Sequence, residues 1–168
     1  MNDYLFHVTM SQDGSESQAN EQVLSLLSPD DVRAIGGLRD EAIAGVIERD
    51  PKAKGKILPQ QFHPNPPFVQ FMHTVIKIFG PHDPALQTAA AQQQESWIYI
   101  IDIRTPDGTP GRVPPEDIVG AFEVKTGHII KESYSANQKH IIFSDNGLVQ
   151  LLPFLQETLI RELKRLPV

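Results

Sequence analysis

Cysteine is absent from the 168 residues. That excludes disulfides, thiolate nucleophiles and cysteine-ligated zinc. Long hydrophobic runs are missing as well. No stretch approaches the roughly 18 consecutive apolar residues that a membrane span needs, so no membrane association is expected. Positive charge is scarce: the formal net charge is −6, which argues against a general affinity for nucleic acid. The first residues, Met1 to Tyr4, lack a basic start and an apolar segment, so no secretory leader is expected and a cytoplasmic location is the default.

Signature motifs are also lacking. There is no G-x-G-x-x-G, no G-K-[ST] and no G-x-S-x-G elbow, so neither a nucleotide cofactor nor an activated serine is supported. The six histidines are His7, His63, His73, His82, His128 and His140. None has the H-E-x-x-H spacing, and neither a metal nor any other cofactor is expected.

What is present is ordinary globular composition, 40% hydrophobic and 21% charged. It suits a single domain spanning 1–168 with a real core. The acidity is concentrated early. Residues 1–50 hold ten Asp or Glu against three Arg, whereas residues 51–168 are nearly balanced. Asp30, Asp31, Asp40 and Glu41 are the candidate acidic surface for a basic protein partner; solvated helix faces would give the same pattern.

The pattern predicts an α+β fold: one mostly antiparallel sheet of four or five strands, with helices packed mainly on one face. Residues 4–10 alternate as a half-buried strand that returns to this sheet, and residues 11–20 form a polar loop. Helices are expected at 21–27, after Ser28-Pro29 and up to Gly36-Gly37, and at 38–49. The strongest helix is Pro66–Phe79, where only Gln70, His73, Thr74 and Lys77 are polar, on one narrow stripe. Asp83-Pro84 opens another helix, to about Gln94. Within the run Trp97–Ile103, both faces of Trp97–Ile101 are apolar, which reads as a central strand. A Pro-rich loop follows at 105–117. Then come strands at 118–125 and 128–133 around a Thr126-Gly127 turn, a strand at 140–144, and a last helix from Pro153.

Six residues are candidates for a pocket. Asp102 and Glu123 are acids inside apolar strands, and paired carboxylates in such a setting do acid–base work. A strand end emerging into solvent, marked by Arg104, is the simpler account of Asp102. His73 lies on the polar stripe of the apolar helix. Tyr134, Asn137 and His140 follow at spacings of three in a loop, where functional polar groups concentrate.

Two uses follow. The first is a soluble, non-catalytic interaction module, of the inhibitor or immunity type, that masks a basic partner. The second is a small enzyme or ligand-binding protein with a pocket between helix 66–79 and the sheet.

Overall fold

The N-terminal strands β1 (Tyr4–Ser11) and β2 (Gln18–Ser25) pair antiparallel, from Tyr4 opposite Ser25 to Ser11 opposite Gln18. The computed structural model describes residues 4–11, 18–50, 52–53, 55–104 and 113–167, with side chains from residue 22 onward. β3 (Gly45–Ile47) joins β2, and β4 (Phe62–Pro64) joins β3, giving a sheet in the order β1-β2-β3-β4.

Two expected helices are therefore strands. Residues 21–27 run through β2, which lies between two neighbours. Gln22, Val23, Leu24 and Ser25 are all buried. A strand buried on both faces shows an unbroken run, which periodicity cannot tell from a buried helix. Residues 38–49 form a single 3-10 turn at Asp40–Ala42 and then β3. Gly45 marks the reason: a Cβ there would run into the Phe62 ring and the His63 carbonyl of the paired strand. The first strand, too, pairs with β2 rather than with the sheet further along the chain. Of the expected polar loop 11–20, Ser11 and Gln18–Asn20 belong to strands; 12–17 lie outside the described residues.

The first helix, α1 (Pro29–Ile35), starts where its cap dictates. The Ser28 hydroxyl accepts from Asp31 N at 3.1 Å, and the Asp31 carboxylate accepts from Ser28 N. Gly36, at φ +86°, ends it. α2 (Pro66–Phe79) has the predicted bounds and buries Phe68, Met72, Val75 and Ile76. α3 (Pro84–Gln93) is capped by the Asp83 carboxylate on Ala85 N.

The next sheet is built on β5 (Ser96–Ile101) and β6 (Ile118–Lys125), paired from Ser96–Val124 to Ile101–Ile118. β7 (His128–Ile129) follows through a two-residue turn with Thr126 at φ +51° and Gly127 at φ +74°, the type I′ geometry of a hairpin. β8 (Ser135–Ala136) pairs with Gly120–Ala121 of β6. Among the described residues β5 has only β6 beside it, so it is an edge strand there and not the expected central one. Trp97 and Tyr99 face outward, at 39% and 55% exposure. Large rings with a polar tip tolerate water, so an apolar-looking face need not be buried.

The expected strand 140–144 survives only as β9 (Phe143–Ser144), in a small hairpin with β10 (Gly147–Leu148). α4 (Pro153–Lys164) closes the chain and buries Leu155, Leu159 and Leu163. In the Pro-rich segment, 105–112 lie outside the described residues, and Pro115–Asp117 is a 3-10 turn.

The fold is thus α+β, but the described residues form three small antiparallel sheets in place of one larger sheet. All share one contiguous core. Phe62 of β4 stacks on Phe143 of β9 at 5.1 Å, which joins two of the sheets directly. Among the described residues, no helix is long and apolar enough to cross a membrane.

Candidate functional site

A cleft of about 610 Å³ opens between α2 and the chain segment that follows β8. α2 supplies Gln70, His73 and Thr74, its polar stripe; the facing wall supplies Asn137 and His140. Each histidine is held from behind by a different group.

His73 Nδ1 lies 2.6 Å from the Tyr134 hydroxyl. Tyr134 packs in turn on Phe122, ring centres 5.1 Å apart. It reaches His73 because residue 120 is glycine: a Cβ there would come within 2.6 Å of the phenol oxygen. Burial holds His73 below the ordinary histidine pKa, with the nearby His140 adding to the effect. Burial pushes the Tyr134 phenol well above its ordinary value.

His140 Nε2 lies 3.1 Å from Asp102 Oδ2, with both side chains almost wholly buried. Asp102 sits just beyond β5, where its amide donates to Asp117 O at 2.7 Å. Its Oδ1 accepts from Arg104 N at 3.2 Å and Gln150 N at 3.0 Å. Arg104 does not emerge into solvent, as the sequence suggested; its side chain is 2% exposed. It pairs with Asp102 at 3.3 Å and with Asp117 at 3.1 Å. It also donates to the carbonyls of Ile142 and Gly147, at 2.9 and 3.1 Å, and to that of Ile141. A guanidinium presents five donors in a planar fork, enough to serve two carboxylates and several carbonyls at once. Arg104 and Asp117 were missed by sequence reasoning, because, Asp102 apart, their partners lie 12 to 43 residues away.

The six pocket candidates therefore divide. His73 and His140 line the cleft, with Tyr134 and Asp102 bonded behind them. Asn137 lines it too, but its amide is occupied. Nδ2 donates to Pro115 O and Ile118 O, both at 2.8 Å, and Oδ1 accepts from Lys139 N. Its carbonyl accepts from His140 N, so Asn137 shapes the turn that presents His140. Glu123 stands apart. It lies opposite Trp97, far down β6 from the Ile101–Ile118 end beside Asp102, and 3.7 Å from Lys125 Nζ.

The acidic candidates are largely engaged nearby. Asp30 pairs with Arg33, and Asp31 with Lys164 at 3.0 Å. The hydrogen bond from Lys164 holds the Asp31 carboxyl below the usual range. Asp40 accepts from Asn65 Nδ2 at 3.1 Å, while Glu41 is half-buried in the 3-10 turn. Among the described residues, no three metal-ligating side chains converge. A second, shallower groove of about 420 Å³ lies beside Trp97 and Tyr99.

Comparison with family models, curated proteins and solved structures finds no match. The chemistry of the cleft must be read from its own atoms. It offers two imidazoles and no activated nucleophile: the Thr74 hydroxyl donates to Gln70 O at 2.9 Å, inside its own helix. A buried carboxylate behind a histidine fixes that ring's orientation and stabilises an imidazolium when it forms.

Proposed function

We propose that the cleft between α2 and residues 136–142 binds a small polar ligand, and that His140 exchanges a proton with it. The observation that carries this reading is the Asp102–His140 pair at 3.1 Å, with His140 on the wall of a cavity of about 610 Å³. That volume lies within the range of small-molecule sites. Asp102 is held by Arg104 and two backbone amides, so it orients His140 without itself leaving. Any chemistry would be acid–base in kind, since the lining contains no thiol and Thr74 is engaged.

The acidic-surface reading is weaker. Asp30 and Asp31 already have cationic partners in the same chain, and Asp40 is tied to Asn65. Two of the four candidate charges are thus answered by cations within the chain.

A fragment screen read by amide chemical shifts tests the proposal. Ligands should perturb residues 70–74 and 136–142 together, and His140→Gln should abolish the effect with the fold intact. Shifts that avoid both segments, or that persist unchanged in His140→Gln, would remove the basis for the reading.

A further inference from the structure

We infer that the cleft selects a group presenting a hydrogen-bond acceptor beside a donor, the C=O and N–H edge of a lactam or primary amide. The inference rests on the ligand-cleft reading above and adds the class of ligand. It follows from which ring nitrogen of each histidine is already bonded, Nδ1 of His73 and Nε2 of His140, and from the chemistry of the two partners.

The Tyr134 hydroxyl is largely buried, and burial opposes its ionisation. It therefore keeps its proton and must donate it, since a buried donor without an acceptor is costly. Among the described residues the acceptor in reach is His73 Nδ1, at 2.6 Å. Nδ1 is then bare, and the neutral ring carries its hydrogen on Nε2. At His140 the partner is a carboxylate, which only accepts. Nε2 must donate to Asp102 Oδ2, at 3.1 Å, so the neutral ring has a bare Nδ1. No described residue bonds the remaining nitrogen of either ring. His73 thus has a donor to offer and His140 an acceptor.

A carboxylate satisfies His73 but sets its second oxygen against the His140 lone pair. An ammonium fails in the reverse way. An amide edge serves both, its carbonyl accepting from His73 and its N–H donating to His140. A mismatched ligand forgoes one hydrogen bond and leaves a polar group of the cleft unpaired.

The test has two readouts on the full chain at neutral pH. Long-range proton–nitrogen spectra of the imidazoles report each tautomer directly; both rings are expected to carry hydrogen on Nε2. Titration then compares 2-pyrrolidinone and propionamide with N-methyl-2-pyrrolidinone and propionate. The first two separate a ring lactam from a primary amide as the source of the edge. Either one should shift both imidazoles at a concentration about tenfold lower than the last two require, the loss expected for one hydrogen bond. In Tyr134→Phe, which keeps the ring packed on Phe122, that preference should collapse. A proton found on Nδ1 of either ring overturns the inference. So does propionate or the N-methyl lactam binding as well as its partner, though the cleft reading then stands. If no probe moves either imidazole, both readings fall.

Discussion

Arg104 gathers four separated stretches of chain: residues 102, 116–117, 141–142 and 147. Replacing it by methionine keeps much of the bulk but leaves Asp102 and Asp117 buried without their cation. A broken buried pair costs about 3–5 kcal/mol, so Arg104→Met should lower the urea midpoint by that equivalent. Arg104→Lys should recover little, since an ammonium lacks the planar fork. His73 carries a pH dependence of definite sign. Its folded pKa is depressed from 6.5, so the unfolded chain takes up the proton first. Its contribution to stability is whole above 6.5 and is lost as pH falls toward the depressed value. Denaturation curves from neutral to mildly acidic pH should therefore decline less in His73→Gln than in the parent chain. Asp102 was legible as a candidate, an acid in an apolar strand. Arg104 was not, because whether a charge beyond a strand end turns inward depends on partners 13 to 43 residues away.

At the scale of elements, legibility followed one-sidedness. α2 was readable to its bounds, with Asn65-Pro66 before it, Gly80 after it, and a single polar stripe between. Val75 is 3% exposed within it. Val75→Asp buries an unpaired charge and should cost about 3 kcal/mol or more, seen as a collapse of the thermal transition. β2 was unreadable because burial on both faces removes the period-two signal, and β3 because three residues are too few to show one. Gly120 on β6 offers a sharper test. Gly120→Ala places a methyl against both the Tyr134 hydroxyl and the Ser135 carbonyl. Overpacking of this kind costs about 1–3 kcal/mol. A melt should show the loss, and the imidazole spectrum of His73 should change with it, because Tyr134 is displaced.

Across the whole molecule, the acidic first third is answered partly from the far end of the chain. Lys164 of α4 meets Asp31 of α1, and Arg161 of the same helix lies 5.6 Å over the Phe79 ring of α2. Composition showed the imbalance but not where its counter-charges would be folded. The Arg104 cluster binds the molecule in a similar way, and hydrogen exchange should register it. The amides of Asp102, Ile103 and Gln150 donate to Asp117 O, Gln150 O and Asp102 Oδ1. They are expected in the slowest class, exchanging only when the entire chain unfolds. Rapid exchange there would show that this region opens on its own.

The long reach of Arg104 also sets an order of events during synthesis. The β5–β6 hairpin is complete once residue 125 has been made, but the carbonyls of residues 141, 142 and 147 do not yet exist. Until they emerge from the ribosome, the guanidinium has its two carboxylates but lacks three of the carbonyls that enclose it. The emerging chain should therefore hold this half loosely, and lock it only when the last strands arrive.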